Sequence, residues 1–480
     1  MRKPVLRFLS EGDLQSIYQA SLRVLDEVGI LLEHAEAQDM LEGAGARIDR
    51  EANRAYLPPD LVDRCRRQIP KQLTYHGRTP EFDRVVSLDG PLCGRHTGGC
   101  PGYIDPYTGE YRLARIEDWK AFVIVSDYLP KIGMVANQHC HDAPGRTNDL
   151  HSLRVVLENQ RKCSVHGANT IATLRYQLEM LLAVYGTREA LAARPMIHHM
   201  VPPINPLFFD EDHTAQILLA VDYGLPMDMP VMSIVGITSP ATAAGTLVQN
   251  LAEELAATTL VQTRRPGHPQ AFFIDPCVGN MRSGAALVGA PESALILAAI
   301  CQLGAELFGL PTEAIGLLSD GFSGAQTQAH KMQNLIFQVL AGGKLVAGTG
   351  VTESIMALSP VQLVIDDEYL AIAERWLRGI ATDPPNLAVD VIARVGPRGD
   401  YLSDEHTLDA IRAGLLLDLP LAERDGRRAM WELGGEKTLE SKAAAKARQI
   451  LETHEVPPLP DEVQRELAAI LGKADEALAG

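Results

Sequence analysis

Short apolar runs alternate with longer amphipathic stretches across the middle of this 480-residue chain. The runs predict buried strands at 133–138, 162–166, 196–201, 231–237, 271–274, 314–318 and 344–347, with helices between them. Strands that alternate with helices of this length are typical of βα units on a parallel sheet. The absence of a GxGxxG turn favours a closed (β/α)8 TIM barrel over an open dinucleotide-binding sheet. We expect the eighth strand near 387–395.

Different patterns flank this α/β region. Before residue 116, helical patterns are followed, between 77 and 112, by polar and apolar residues that alternate around glycine-rich turns. That alternation predicts small antiparallel strands. Beyond Gly396 the sequence is polar and rich in helix formers. We therefore expect an α+β segment over 1–115, a catalytic barrel over 116–400, and helices packed on the barrel or on a second subunit over 401–480.

Charge and cysteine content narrow the class of protein. The formal net charge of −17 disfavours binding to nucleic acids and to anionic membranes. The seven cysteines are scattered and form no CxxC pair, which favours a reducing cytoplasm. The amino terminus carries no export-type apolar segment, and no apolar run reaches the roughly twenty residues of a bilayer span. A cytoplasmic, soluble and homo-oligomeric protein is expected.

Polar residues at the carboxyl ends of the predicted strands are the candidate site, because a barrel places its working groups there. The stretch 314–330, AIGLLSDGFSGAQTQAH, is the clearest case, since an apolar run brings an aspartate to a glycine-rich turn. The candidates are Gln138, His139, His166, Asn205, Thr238, Asp275, Asp320 and Thr349.

Two carboxylates and two aromatic rings among the strand ends point to one ligand chemistry. Asp275 and Asp320 would lie at the same end of the barrel, close to Phe273 and Phe322. Carboxylates and aromatic faces both attract an organic cation that has no proton to donate. Each residue taken alone has a plainer interpretation, as a turn-forming aspartate or a core phenylalanine.

The histidines of the chain do not point to one kind of site. His139 and His141 share a parity on their strand, but no third ligand with recognisable spacing accompanies them, so we predict no metal site. His166 follows an apolar strand and fits either a cavity residue or a buried core histidine. The loop 236–245 opens a long helix, and its amides could hold the carboxylate of a zwitterion. A plain loop capped by Ser239 or Thr242 is the alternative.

Several motifs in fixed order resemble one known family over nearly the whole chain. They are SLRVLDEVGI, GGCPGYIDPYTGEYR, VPPINPL, GITSPATAAGTLVQNLAEELA, PGHPQAFF, GNMRSGA with GAPES, LFGLPTE and GDYLSDEHT. With these motifs the chain resembles the trimethylamine methyltransferase family of corrinoid-dependent methyltransferases. The resemblance implies a (β/α)8 barrel whose mouth docks a small corrinoid protein, so that this chain holds no tightly bound cofactor of its own.

The absence of pyrrolysine makes the chain similar to the branch of that family that demethylates quaternary amines such as betaines. In the family the segment that begins at Ser319 often has the pattern Ser-Asp-x-Lys-x-x-Asp-x-Gln. Here Asp320 is kept, while Phe322, Ala325 and Thr327 stand at the lysine, second acidic and glutamine positions. These departures affect the loop that we expect to contact the substrate.

We therefore expect a methyltransferase that moves a methyl group from a small quaternary or other N-methylated amine to the cobalt of a partner corrinoid protein. Asp275 and Asp320 would offset the charge of the amine, Phe322 would form a wall, and His166, Asn205 and Thr238 would orient it. Two alternatives stay open. One is direct methyl transfer to tetrahydrofolate, and the other is a non-catalytic barrel that binds betaine.

Overall fold

Eight parallel strands form the centre of the protein. The computed structural model describes residues 6–424, 426–435 and 437–478. In chain order the barrel strands are β1 (Cys93–Arg95), β2 (Ile132–Ala136), β3 (Cys163–Gly167), β4 (Ile197–Met200), β5 (Met227–Asp228), β6 (Phe272–Phe273), β7 (Thr312–Ala314) and β8 (Gly343–Ala347). Each neighbouring pair is parallel, and a bridge between Met227 and Gln270 joins β5 to the strand segment before β6. The sheet is therefore closed, and the predicted barrel is confirmed.

A helix follows every strand and covers the barrel from outside. The eight helices are α1 (Ile116–Tyr128), α2 (Asn148–Asn159), α3 (Ile171–Tyr185), α4 (Glu211–Tyr223), α5 (Ala243–Arg264), α6 (Pro291–Gln302), α7 (Ala325–Leu340) and α8 (Pro360–Arg378). Their starts follow capping rules, as where Thr242 accepts a hydrogen bond from the Gly245 amide at the start of α5. The loop 236–245 therefore contains the cap that the plainer interpretation expected.

The first barrel strand is one that the sequence patterns did not identify. β1 lies in the segment 77–112, which was predicted to form antiparallel strands. Its apolar pattern is hard to detect because it has only three residues and one of them is Gly94. A Cβ at Gly94 would lie 2.5 Å from Leu370 Cδ1, so the close packing of α8 on β1 requires glycine. The barrel therefore begins before residue 116, the boundary taken from the sequence.

Three other strand predictions differ from the structure. Of the expected strand 314–318, only Ala314 lies in a strand, at the end of β7. The eighth strand expected near 387–395 is a helix, Val389–Val395, that follows a helical turn, Pro384–Leu387. The fifth barrel strand was expected at 231–237, but the residues that pair with β4 are Met227–Asp228. Ile234–Val235 instead pairs with Cys277–Gly279, which also pairs with Ala286–Leu287, in a small sheet above the mouth.

The amino-terminal segment covers one side and the closed end of the barrel. It comprises the helices Glu11–Arg23, Ala35–Gly43 and Pro59–Arg66, a π-helical turn Val24–Val28, and the strands Ile30–Leu32, Arg47–Asp49 and Arg54–Tyr56, with Phe208–Phe209 added to their sheet. The hairpin of Leu73–Tyr75 and Arg84–Val86 flanks the turn Pro80–Phe82. Leu73, Tyr75 and Val86 pack against Cys93 and Leu345 in the barrel lumen, so this hairpin closes the amino ends of the strands.

The remaining short elements decorate the two ends of the barrel. The strands Gly102–Ile104, Tyr111–Leu113, Val351–Thr352 and Ala357–Leu358 form a sheet beside the mouth. A helix, Arg188–Ala193, precedes β4, and a π-helical stretch, Leu303–Phe308, extends α6. Within the described ranges, Pro291–Phe308 is the one helical stretch apolar and long enough to span a membrane, and 67% of it is buried inside the fold.

Helices dominate the carboxyl-terminal part. Leu439–Thr453 buries Ala443, Ala447 and Ile450 against α8 and α1, and Asp461–Leu478 packs on α3. Between these helices and α8 lie Glu405–Arg412 and Arg428–Leu433, neither of which buries a residue.

Candidate functional site

A cavity of about 190 Å³ opens at the carboxyl ends of the strands, the face where barrels place their chemistry. The loops that follow β5, β6, β7 and β8 form its walls. The lining is largely apolar, from Met232, Pro276, Ala286, Val288, Leu297, Ile315 and Ile355. Its polar groups include Asp275, Ser293, Asn334 and Ser354. A mostly apolar cavity with few polar groups suits a small organic ligand.

Asp275 is the acidic group of this cavity. Asp275 is 4% exposed, and its Oδ1 accepts a hydrogen bond from the Ile315 amide at 3.2 Å. Oδ2 has no hydrogen-bond partner in the described part of the chain. Burial raises the pKa of Asp275 to about 8, because the ionised carboxylate is poorly solvated there. A cation placed beside Oδ2 would supply the missing partner.

Asp320 holds the walls of the cavity together. Its carboxylate accepts hydrogen bonds from the amides of Val288 and Gly289, at 2.7 and 2.9 Å, and from Ser354 Oγ at 2.9 Å. Val288 and Ser354 line the cavity, whereas Asp320 does not. Asp320 therefore connects the loop after β7 to the loops after β6 and β8. Both of its carboxylate oxygens already accept hydrogen bonds from these loops.

Below the cavity, the lumen holds the carboxyl groups of Glu313 and Asp228 and the guanidinium of Arg95. Arg95 Nε donates to Glu313 Oε1, and the Arg95 guanidinium lies 5.0 Å from the centre of the Phe273 ring. Asp228 lies beside His198, with 3.4 Å between Oδ2 and Nδ1. Burial raises the pKa of both Glu313 and Asp228.

This lumen is short of positive charge. Arg95 acts electrostatically on Asp228, Asp275 and Glu313, yet it can match only one ionised carboxylate. His198 adds no charge near neutral pH, because burial lowers its pKa to about 3. The neighbourhood of Asp275 therefore gains from any additional cation.

The structure separates several of the predicted site residues from the cavity. His166 faces the helical layer, where Nε2 donates to the Asp149 carbonyl oxygen at 2.9 Å, and burial lowers its pKa to about 4. Of the two interpretations of His166, cavity residue or buried core histidine, the structure supports the second. Phe322 is 73% exposed on the loop after β7, so it does not form a cavity wall. Phe273 faces Arg95 in the lumen.

The polar candidates are mostly engaged in loop structure. Asn205 Nδ2 donates to Glu253, and Thr238 Oγ1 accepts from the Ile234 amide at 2.8 Å. Gln138 donates to the Cys100 carbonyl oxygen. Thr349 is buried beside Arg95, whose carbonyl oxygen accepts its amide, and its hydroxyl has no partner among the residues described. Gln138 Oε1 is likewise buried without a partner in the described part of the chain, so Gln138 and Thr349 each keep an unused polar atom.

His139 and His141 lie together at the rim, with ring centres 5.5 Å apart and perpendicular planes. His139 is exposed. Within the described ranges, no group of three or more His, Cys, Asp or Glu residues has an arrangement that could hold a metal ion.

The charged lumen residues Arg95, Asp228 and Glu313 were not predicted, although two of them left a signal. Asp228 lies between two methionines in PMDMP, and Glu313 interrupts the apolar stretch before Ala314. When an apolar run that forms a barrel strand contains a charged residue, the charged side chain must point into the lumen or have a buried partner. Arg95 gave no such signal, because its strand was not identified.

Exposed apolar side chains surround the cavity mouth. Met232, Ile237, Met281, Phe322 and Met356 lie on the loops that follow β5 to β8, and each is at least 40% exposed. Flexible methionine side chains and exposed aromatic rings are common at surfaces that receive another molecule.

The barrel and its mouth cavity define the structural class. The monomethylamine methyltransferase MtmB of Methanosarcina barkeri has the same fold, with a TM-score of 0.51 and 11% sequence identity over 93% of each chain. The chain belongs to the trimethylamine methyltransferase (MTTB) family, whose sequence profile matches residues 1–478. The resemblance seen in the sequence motifs is thereby confirmed.

Two relatives from Desulfitobacterium hafniense match nearly the full chain. A glycine betaine methyltransferase is 27% identical over 98% of this chain and 97% of its own. The trimethylamine methyltransferase MttB is 29% identical over 97% of this chain and 94% of its own. The chain is thus similar to enzymes that act on a quaternary and on a tertiary methylamine.

Proposed function

We propose that this protein transfers a methyl group from a small quaternary amine, such as a betaine, to the reduced cobalt of a corrinoid held by a partner protein. The observation that carries the proposal is Asp275, a buried carboxyl with an unpaired oxygen in an apolar cavity at the barrel mouth. A permanent cation suits this carboxylate, because it supplies charge without requiring a hydrogen-bond acceptor.

The chain would contribute binding, orientation and exclusion of water. Asp275 would hold the ammonium group, and the apolar walls formed by Val288, Ile315 and Ile355 would enclose its methyl groups. When the methyl group leaves, the bonding electron pair stays on nitrogen and the product is a neutral tertiary amine. No proton is needed for this departure, so the cavity requires no general acid.

The exposed apolar rim supports a protein as the methyl acceptor. Reduced corrinoid supplies a cobalt nucleophile for such a transfer. A corrinoid is too large for the mouth cavity, so its carrier must lie against the rim, where Met232, Met281 and Phe322 are exposed. We accordingly assign Phe322 to contact with the partner. All seven cysteines are unpaired, which fits the proposed cytoplasmic location.

The direct test is methyl transfer in solution. The purified protein, mixed with cob(I)alamin and each of a panel of betaines and other quaternary amines, should form methylcobalamin, which absorbance records. Failure with every N-methyl donor would contradict the proposal. Demethylation that requires only tetrahydrofolate would establish the alternative acceptor, and tight binding without turnover on a reduced corrinoid protein would establish a binding protein.

The affinity for a quaternary amine should rise with pH. The pKa of Asp275 is about 8 in the free protein, so most of the carboxyl is protonated at pH 7. A bound cation favours the ionised form, and its binding at pH 7 should release close to one proton. The dissociation constant should fall about fivefold from pH 7 to pH 8 and about twofold more from pH 8 to pH 9, and level off above pH 9.

Calorimetric titrations in two buffers of different ionisation enthalpy measure that proton release. Asp275→Asn, which cannot ionise, supplies the control and should show neither release nor pH dependence. A pH-independent affinity of the wild-type protein between pH 7 and pH 9 would contradict the role of Asp275.

Phe322→Asp should separate the acceptor protein from the chemistry. The charge should slow methyl transfer to a corrinoid protein at least tenfold, because it enters an apolar contact. Transfer to free cob(I)alamin should be unchanged, since Phe322 is outside the cavity. Leu295→Asp, at an exposed position on α6, is the matched control. Equal loss with both acceptors would place Phe322 in substrate binding instead.

A further inference from the structure

Two side-chain oxygens of the mouth cavity have no partner in the described part of the chain. One is Asp275 Oδ2, the unpaired carboxylate oxygen. The other is Oδ1 of Asn334, a residue of α7 that lines the cavity and is 1% exposed. Both atoms are hydrogen-bond acceptors. A ligand that satisfies both therefore carries a positive charge and a hydrogen-bond donor.

Neighbouring carbonyl groups fix the orientation of the Asn334 side chain. Its Nδ2 donates to the carbonyl oxygens of Val288 and Leu318, at 2.9 and 3.2 Å. The reverse orientation would place Oδ1 against these two carbonyl oxygens and would lose both hydrogen bonds. Asn334 therefore offers the cavity an acceptor and not a donor.

The serines of the lining leave little capacity for hydrogen-bond donation. Ser293 Oγ donates to the Leu287 carbonyl oxygen at 2.7 Å, and Ser354 Oγ donates to Asp320 at 2.9 Å. Ser233 Oγ accepts a hydrogen bond from a side chain of α5 and keeps its own proton. Among the described serines of the lining, Ser233 thus has the one hydroxyl proton that a ligand could accept.

No cationic side chain compensates for this shortage of donors. Among the described residues that line the cavity, none is an arginine, a lysine or a histidine. Arg95 lies in the lumen outside this lining, where it donates to Glu313. α6 begins at the cavity, but Pro291 has no amide N–H and Glu292 adds negative charge to its first turn. A ligand carboxylate would lose its hydration here without meeting a cation, and the Ser233 hydroxyl cannot offset that loss.

We propose that the methyl donor of this protein is a quaternary amino alcohol, a cation such as choline that carries a hydroxyl group in place of the carboxylate of a betaine. This inference rests on the proposed function and narrows its methyl donor. The ammonium group lies beside Asp275, and the hydroxyl group donates to Asn334 Oδ1. As the N–CH3 bond breaks, the methyl carbon bonds to cobalt and the electron pair stays on nitrogen, so the product is a neutral dimethylamino alcohol.

Isothermal titration of the full-length protein at pH 8 tests this choice with choline, choline methyl ether and glycine betaine. Choline should bind at least about tenfold more tightly than glycine betaine, because the betaine carboxylate meets no cation. It should bind about five- to tenfold more tightly than its methyl ether, which keeps the cation but lacks the donor. Glycine betaine binding as tightly as choline, or equal binding of choline and its ether, would overturn the proposal.

Substitution of Asn334 assigns the preference for choline to one atom. Asn334→Ala should remove the preference for choline over its methyl ether and leave the affinity for the ether unchanged. Asn386→Ala, at an exposed position in the turn Pro384–Leu387, is the matched control and should keep the preference. A preference that survives Asn334→Ala would overturn the role of Oδ1. The comparison of ligands on the wild-type protein decides the proposal even if Asn334→Ala does not fold.

Methyl transfer to cob(I)alamin separates this inference from the proposed function. Transfer from glycine betaine but not from choline would overturn the inference and leave the proposed function intact. Transfer from neither, with choline preferred in the titrations, would contradict the proposed function and support amino alcohol binding at the cavity. A protein that binds none of the three probes would overturn both.

Discussion

Asp275→Asn is expected to weaken binding of a quaternary amine at least a hundredfold at pH 8 and above while making the protein more stable. The loss of affinity follows because the variant removes the one unpaired carboxylate oxygen of the mouth cavity. The amide oxygen can still accept the Ile315 hydrogen bond, so the loop should keep its position. Isothermal titration with a panel of betaines measures the affinity, and unchanged binding would contradict the proposed role.

The gain in stability has a definite pH dependence. The pKa of Asp275 is about 8 in the folded protein and about 3.9 in an unfolded chain, so the folded state holds the proton more tightly between these values. The free energy of unfolding of the wild type therefore falls as pH rises from 4 to 8, by up to roughly 1.4 kcal/mol per unit. The variant lacks this loss, and its advantage in urea unfolding should be larger at pH 8 than at pH 6.

Asp320→Asn provides the contrast, because the two aspartates do different work. Asp320 accepts three hydrogen bonds from neighbouring loops through its two carboxylate oxygens. An asparagine side chain keeps only one accepting oxygen, so the bonds made to the other oxygen are lost. This variant should lose stability, by about 1–3 kcal/mol. A stabilised Asp320→Asn variant would show that its carboxylate has no structural function.

Lys331→Met is expected to lower the free energy of unfolding by about 3–5 kcal/mol, the cost of breaking a buried ion pair. Lys331 Nζ donates to Asp366 Oδ2 at 2.8 Å and to the carbonyl oxygens of Leu317 and Gly348, at 2.6 and 3.2 Å. These contacts join α7 and α8 to the segments just beyond β7 and β8. Without the ammonium group, Asp366 would be a buried carboxylate without a cation.

Urea unfolding measures this loss, with Lys473→Met as the control. Lys473 lies 3.8 Å from Glu179 in an exposed pair, which should contribute less than about 1 kcal/mol. Equal effects of the two substitutions would contradict the assignment of Lys331 as a buried structural cation.

The sequence was sufficient to predict the barrel but not its first strand. Long apolar strands such as β2, β3 and β8 are bounded by clear helices, so their periodicity is visible. β1 consists of Cys93, Gly94 and Arg95, and its burial depends on α8, which lies far along the chain. A pattern confined to neighbouring residues cannot register that contact. The apolar residues near 387–395 suggested a buried strand for the converse reason, since they are exposed on a helical segment that follows α8.

The sequence predicted where the candidate site lies better than it predicted the role of each residue there. Strand-end reasoning found Asp275 and Asp320, but it could not tell that one faces the cavity and the other holds loops, because that depends on where the Val288 and Gly289 amides point. Parity along β3 places His166 outward, opposite to the lumen-facing Val165 of the same strand. The arrangement of the charged lumen residues depends on interactions between side chains of β1, β5 and β7. These strands are far apart in the sequence, so no single segment reveals the interactions.

The hairpin that closes the lumen has a kinetic consequence. Tyr75 is buried at the amino ends of the strands, with its ring stacked on His198 at 4.0 Å between centres, so the passage through the barrel is a dead end. In the proposed reaction, substrate, product and methyl acceptor therefore share one doorway. The amine has to enter before the acceptor arrives, and the demethylated product can leave only after the acceptor has withdrawn. An excess of acceptor protein should consequently inhibit turnover, competing with the amine for access to the free enzyme.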